Sequence, residues 1–179
     1  MNNITLGIYL SKIKTNRAAV LPYIIKNNIH GESKIYFLVA IDKKSGDITD
    51  LGGGVKKNEC SLIAALREFK EESKEIFEDI YDQINNLSTN LALVCNQMSV
   101  LFVPLEERWF ELASQKFNSN KINKKTYNEV SELLWVDQDE FLDILEGKNR
   151  EMWKRLRNFY KGNYNEDLLE ALKITYRIK

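Results

Sequence analysis

The 179-residue chain holds one histidine, two cysteines and two prolines, and its 26 basic residues are cancelled by 26 acidic ones. Each scarcity closes off a class of function. Cys60 and Cys95 are too few and too far apart to build a zinc site. No disulfide between them is indicated, so a reducing cytoplasm fits. A protein that grips long nucleic acid is usually basic, and zero net charge takes that argument away. No apolar run is long enough to span a bilayer. Residues 1–14 are broken by Asn2, Asn3, Ser11 and Lys12 and carry no signal-peptide core. Neither an internal repeat nor a low-complexity tract interrupts the rest. The remaining class is a single domain over 1–179, long enough for a real core, with residues 147–179 as a helical extension packed on it.

Periodicity divides the chain into a mixed set of strands and helices. Ile4–Ile13 alternates loosely and reads as a strand, as does Ala18–Ile25, where Pro22 suggests an edge or a bulge. Lys34–Ile41 carries the strongest strand signal and is apolar enough to lie centrally. Ile48–Leu51 leads into three glycines. Leu91–Gln97 and Ser99–Leu105 form a strand pair turning at Asn96–Met98. Glu78–Leu87 reads as further helix or irregular loop, and Glu106–Phe117 as helix. Glu132–Val136 is a strand, and Asp137 caps a helix running to Leu145. Lys148–Tyr160 is amphipathic, and Asn163–Tyr176 is a last helix. An α+β (α/β) class with a mixed sheet flanked by helices follows.

The glycines Gly52, Gly53 and Gly54 stand directly before an amphipathic helix. At about 100° per residue, Leu62, Leu66, Phe69, Ser73 and Ile76 share one face. Glu68, Glu71, Glu72 and Glu75 share another, spaced i, i+3, i+4 and i+7. Like charges at those spacings cost a few tenths of a kcal/mol each in an isolated helix. A solvated acidic face is the plain explanation of such an arc. A cation held between the carboxylates explains it better when a glycine turn, open to close backbone approach, stands in front. Carboxylates suit hard divalent ions with oxygen shells, so magnesium or manganese is implied rather than zinc.

The spacing from Gly53 through Glu59 to Arg67-Glu68-Phe69-Lys70-Glu71-Glu72 resembles the Nudix box, glycine-x5-Glu-x7-Arg-Glu-apolar-x-Glu-Glu-x-Gly-apolar. It covers about an eighth of the chain and fills every charged position in register. Lys74 stands where that family has glycine and Glu75 where it has an apolar residue. Either the helix runs past its usual end or Lys74 accepts a left-handed backbone, at about 1 kcal/mol. The resemblance implies a Nudix α/β/α sandwich and a metal-dependent hydrolase that cleaves a nucleoside diphosphate linked to another group. It implies Glu68 and Glu72 as principal metal ligands, with the carbonyl of Gly52 or Gly53 completing the sphere. Glu71 would bind metal or take a proton from water. Arg67 and Glu59 would orient the carboxylates. Lys56 and Lys57 could touch a substrate phosphate, or be ordinary solvated lysines.

Outside the box, Asn128-Glu129-Val130 before Trp135 resembles a segment of many Nudix hydrolases, notably the mRNA-decapping branch, in which a glutamate points back at the metals. Glu129 is then a candidate ligand or general base, with Glu132 as fallback and a surface glutamate as the plain alternative. Lys121, Lys124 and Lys125, with the basic face of 148–161, read as a solvated face or a phosphate-tracking patch. His30, alone in a turn, has no implied role. The expected substrate is a small nucleotide: a dinucleotide, a nucleotide sugar or a noncanonical triphosphate. Capped RNA, a diphosphoinositol polyphosphate and a catalytically silent binding module are the alternatives. Neither the oligomeric state nor the attached group follows from the sequence.

Overall fold

The computed structural model describes residues 3–78, 90–121 and 128–178. Eight strands form one mixed sheet: β1 (Ile4–Leu6), β2 (Arg17–Asn27), β3 (Ser33–Asp42), β4 (Ile48–Thr49), β5 (Leu51–Gly54), β6 (Leu91–Cys95), β7 (Met98–Pro104) and β8 (Val130–Asp137). Among the described residues, five α-helices flank it: α1 (Ser61–Glu72), α2 (Trp109–Ser119), α3 (Gln138–Glu146), α4 (Lys154–Lys161) and α5 (Glu166–Arg177). The path β1-β6-β7-β2-β3-β4 is antiparallel except at β2–β7. β8 lies antiparallel to β3.

Strand β2 explains where the glycines end up. It pairs with β5 over Arg17–Val20 and with β3 over Tyr23–Asn27, so β5 fills the space where β2 and β3 diverge. Pro22 lies in the gap between these two partners, with only β7 opposite it. Of the edge or bulge that its sequence context suggests, the edge is excluded: Pro22 is an interior proline at the break between two partners of β2. β2 also reads as a near-continuous apolar run because both its faces are covered. Ala18, Val20 and Ile24 pack with α1 and α2, through Ala64, Ala65, Phe69, Trp109 and Phe117. Ala19, Leu21 and Tyr23 pack with α3, α4 and α5, through Phe141, Ile144, Leu156, Tyr160 and Leu172. Two cores on opposite faces make the helix–sheet–helix layering.

Several expected boundaries move. Ile4–Ile13 is not one strand: β1 stops at Leu6 and Gly7–Ser11 forms a short 3-10 turn that buries Leu10. The expected Asp137 cap is present, its carboxylate accepting from the Asp139 and Glu140 amides at 2.9 Å each. Helix α1 ends at Glu72, and Lys74 and Glu75 then take left-handed backbones with φ of 54° and 59°. Of the two outcomes foreseen for this departure from the box, the strained turn occurs, with the Lys74 ammonium 3.9 Å from the Phe117 ring centroid. Residues 79–89 and 122–127, and with them most of the expected 78–87 segment and Lys124 and Lys125, lie outside the described residues. Among the described residues, no helix is long and apolar enough to cross a membrane.

Candidate metal and phosphate site

The sequence G-G-G before α1 is demanded by two different neighbours. A Cβ on Gly52 would stand 2.2 Å from the Ala19 Cβ and 2.6 Å from its Cα, so the strand could not lie against β2. A Cβ on Gly53 would stand 2.5 Å from the Glu68 carboxylate carbon and 2.5–2.7 Å from its two oxygens. The Glu68 carboxylate therefore occupies the volume that any other residue at 53 would fill. Gly54 meets no such constraint.

Arg67 organises the adjoining carboxylates. Its Nε donates to Glu59 Oε1 at 2.7 Å and its Nη2 to Glu59 Oε2 at 3.0 Å, a two-pronged contact that fixes the guanidinium plane. Nη1 donates to Glu68 Oε1 at 2.6 Å, and Nη2 also reaches the Gly54 carbonyl at 3.0 Å. Glu59 in turn accepts the Lys56 amide at 3.0 Å, closing the loop between the glycines and α1. Hydrogen bonds from Arg67 outweigh the cost of partial burial, and with the Lys56 amide they hold the Glu59 carboxyl down at about 2. Glu71 is held more loosely, 3.6 Å from Arg67 Nη1.

Glu72 sits in a second, more deeply buried group. Its side chain faces Gly52, whose amide hydrogen-bonds to it, and its Oε2 is buried with no partner. Burial, with Asp50 and Glu68 nearby, pushes the Glu72 carboxyl well above the usual range, against the pull of Arg17 and the Gly52 amide. Arg17 Nη2 bonds Asp50 Oδ1 at 2.5 Å and the Gly52 carbonyl at 2.9 Å. The other Asp50 oxygen accepts the Tyr160 hydroxyl at 2.7 Å. Burial works against the Arg17 charge, but Asp50 beside it more than compensates, and its pKa is raised. Burial and the Asp50 charge likewise keep the Tyr160 hydroxyl protonated, well above its ordinary value. Arg17, Asp50 and Tyr160 were not singled out from the sequence as site residues. Asp50 reads there as part of the Ile48–Leu51 run before the glycines and Tyr160 as part of an apolar helix face. The available signal was an aspartate two residues before the glycines with no nearby basic residue to pair it.

The residues named in advance thus separate into three sets. Glu59, Arg67, Glu68 and Glu71 form one network, and Glu72 and Gly52 lie with Arg17 and Asp50 beside it. Glu129 stands apart, exposed at the entrance to β8, where its carbonyl accepts the Lys43 amide at 2.8 Å. The neighbouring Asn128 side chain accepts from Lys43 Nζ at 2.6 Å. The β3–β8 register slips by one residue at Ser131, so Val130 turns inward while Glu129 faces solvent. Glu132 is also exposed. Lys56 and Lys57 are exposed, and the Lys57 carbonyl accepts from Lys14 Nζ at 2.5 Å. Among the described residues, no three acidic, histidine or cysteine side chains cluster closely enough to hold an ion by themselves.

These groups nevertheless suit a hard divalent cation in two respects. The Glu68 carboxylate lies in a cradle that a Cβ would fill, and Glu72 keeps a buried oxygen that no protein group satisfies. Magnesium commonly takes one or two carboxylates, with substrate phosphates and waters completing its shell, so a three-carboxylate cage is not required.

No protein-family model matches the chain, and no curated protein sequence matches it. Solved structures that resemble it include a C. elegans Ap4A hydrolase binary complex, 16% identical, with 89% of this chain and 96% of that one covered and a TM-score of 0.44. A mutT/nudix family protein from Listeria innocua is 14% identical over 93% of this chain and 99% of its own, at a TM-score of 0.48. A NUDIX-family hydrolase from Clostridium perfringens is 14% identical over 86% and 96%, at 0.42.

Proposed function

We propose that the chain is a Nudix-type pyrophosphohydrolase that uses magnesium or manganese to cleave a phosphoanhydride in a small nucleotide. The observation that carries this reading is the Gly53–Glu68 contact. A glycine is kept where any side chain would displace one carboxylate, next to a second carboxylate with an unsatisfied buried oxygen. A purely structural acidic helix has no use for either feature.

In this reading Glu68, Glu72 and the Gly52 carbonyl would hold the ion. The carbonyl already accepts from Arg17 on one lone pair, which leaves the other. When bound, a divalent cation supplies charge neutralisation at the attacked phosphate and lowers the pKa of water. The chain's own residues do the rest. Glu59 and Arg67 fix the Glu68 oxygens before substrate arrives, so the carboxylate needs no reorganisation. Glu71 is the most loosely held of the three carboxylates that Arg67 contacts and takes the proton of the attacking water at its other oxygen. Glu129, on the exposed entrance to β8, is the alternative base when substrate covers that end. Lys56 and Lys57, just after the glycine strand, meet the anionic leaving group.

Capped RNA and a diphosphoinositol polyphosphate are substrates of the same reaction class, and the same assay tests them. A silent binding module is the second reading, favoured by the absence of a three-carboxylate cluster among the described residues. Purified protein is incubated with manganese and a panel of dinucleotides, nucleotide sugars, triphosphates, capped RNA and diphosphoinositol polyphosphates, and products are separated by chromatography. Turnover of at least one compound, reduced about a hundredfold or more by Glu72→Gln, is the expected result. Unchanged turnover in that variant would refute the assignment of Glu72. Metal binding without turnover of any compound would establish the silent module instead.

A further inference from the structure

One concave feature of the described surface lies away from the acidic helix. It is an open cavity of about 440 Å³ between the β6–β7 turn and the first turns of α4. Its floor is Met98 and Phe159, both buried, and one wall is the Trp153 ring, 49% exposed. Lys154 and Arg155 line it, and Asn158 presents a side-chain amide. Lys154 and Arg155 make no ion pair with any described acid, and no acidic residue lines the cavity. The rim at Asn96 belongs to a two-residue hairpin turn in which Asn96 and Gln97 both have positive φ, 49° and 63°. The Gln97 carbonyl is tied to the Asn16 and Arg17 amides at 2.8 and 3.2 Å, which holds the rim against the start of β2.

Position gives the cavity its meaning. Met98 is the register partner of Arg17, and Arg17 that of Gly54. In the plane of the sheet the floor and the glycine strand are therefore two strand spacings apart, about 10 Å, with the cavity on the α4 face and α1 on the other. A half-exposed indole, two unpaired cations and an amide on a cavity of this size match a ligand with a flat aromatic head and an anionic tail. Stacking on the indole is tolerant of base identity, and the cations supply attraction for phosphate. We propose that this cavity binds the nucleobase and adjoining phosphate of a nucleotide, with Trp153 as the stacking platform and Lys154 and Arg155 as the phosphate contacts. The proposal rests on the pyrophosphohydrolase reading only for its purpose, which is to hold one end of the substrate while the phosphoanhydride lies at the glycine strand.

The test needs no turnover. ADP is titrated into the full-length protein in EDTA while tryptophan fluorescence is recorded, with inorganic pyrophosphate as the baseless anion. Trp109 is buried, Trp135 is partly covered and Trp153 is exposed, so a base stacking in the cavity quenches mainly Trp153. Saturable quenching by ADP but not by pyrophosphate is expected, and it disappears in Trp153→Phe. ADP binding measured by calorimetry weakens about tenfold in Trp153→Ala, the usual scale for losing one base stack. In Lys154→Ala/Arg155→Ala it weakens several-fold and loses part of its salt dependence. These side chains are exposed, so melting temperatures near the parent's show that the variants fold. Quenching that survives in Trp153→Phe, affinity unchanged in Trp153→Ala, or pyrophosphate binding as tightly as ADP would each overturn the proposal. Hydrolysis in manganese with no effect of these variants on KM leaves the reaction standing and removes the cavity. ADP binding at Trp153 with no hydrolysis of any compound does the reverse.

Discussion

Gly52 and Gly53 lack the same atom for different reasons, and the difference is measurable. At Gly52 the obstructing atoms are the Ala19 Cβ and strand backbone, 2.2–2.7 Å away, which cannot yield without separating β5 from β2. At Gly53 the obstructing atoms are the end of the Glu68 side chain, which can swing aside. Gly52→Ala is therefore expected to destabilise the fold, by about 2 kcal/mol or more as overpacking does. Gly53→Ala should melt close to the parent but displace Glu68 and lower turnover about a hundredfold, the scale of a 1 Å misplacement. Thermal unfolding and the manganese-dependent assay on both variants separate the two effects. Glu59 offers a second test at this scale, through pH. Its carboxyl falls from the ordinary 4.5 to about 2 in the folded protein. Its contribution is therefore complete above about pH 4.5 and drains away as pH falls toward 2. The stability gap between parent and Glu59→Gln, about 1–2 kcal/mol at pH 7 for charge-assisted bonds, should narrow across that window in urea titrations. A gap of constant size would show that the Glu59–Arg67 pair is not its source.

Among the elements, α1 was legible because its constraints are local, whereas the expected glycine turn is strand β5, because its pairing with Arg17–Val20 is set from far along the chain. Spacing alone puts the glutamates on one arc, and the glycines directly precede the helix. The end of α1 was ambiguous because Lys74 and Glu75 carry no local turn signal; tertiary contacts with Phe117 and Asn120 hold the left-handed turn there. The edge reading of Pro22 failed for the same reason. An interior place for it depends on β3 and β5 approaching β2 from far along the chain. The buried Arg17–Asp50–Tyr160 group was not legible as a group, since it joins a strand start, the link between β4 and β5 and a distant helix across as many as 143 positions. That group ties α4 to the glycine strand. Tyr160→Phe removes the donor to Asp50 Oδ2 and should cost about 1–3 kcal/mol. It should also weaken manganese binding, because Asp50 orients the Arg17 that holds the Gly52 carbonyl. Tyr23→Phe is the control: its hydroxyl also ties the sheet to the C-terminal helices, donating to the Leu172 carbonyl at 3.1 Å, but touches neither Asp50 nor Gly52. Manganese titrations by electron paramagnetic resonance should distinguish the two variants. Equal shifts in both would reduce the Asp50 group to a packing role.

For the whole molecule, the question is whether residues 147–179 are an addition or part of the domain. Met152, Leu156, Phe159, Tyr160, Leu168 and Leu172 are each at most 3% exposed and belong to the core on one face of the sheet. Burying one such side chain contributes about 1.5–3 kcal/mol, so six contribute about 10 kcal/mol or more. That is comparable with the entire net stability of an ordinary domain, about 5–15 kcal/mol. Loss of the segment would also uncover Phe141 and the β2–β3 face and leave Asp50 without the Tyr160 hydroxyl. A chain shortened to residues 1–146 is therefore expected to aggregate, or to show no cooperative unfolding by circular dichroism, and to bind no manganese at the glycine strand. If the shortened chain instead melted cooperatively and hydrolysed the best substrate with the parent's kcat, α4 and α5 would be an appended module, and the smaller sheet domain would suffice for the chemistry. The Trp153 cavity would be lost in either case, because five of its lining residues lie beyond residue 146. A shortened chain that kept both kcat and KM would then argue against the cavity as well.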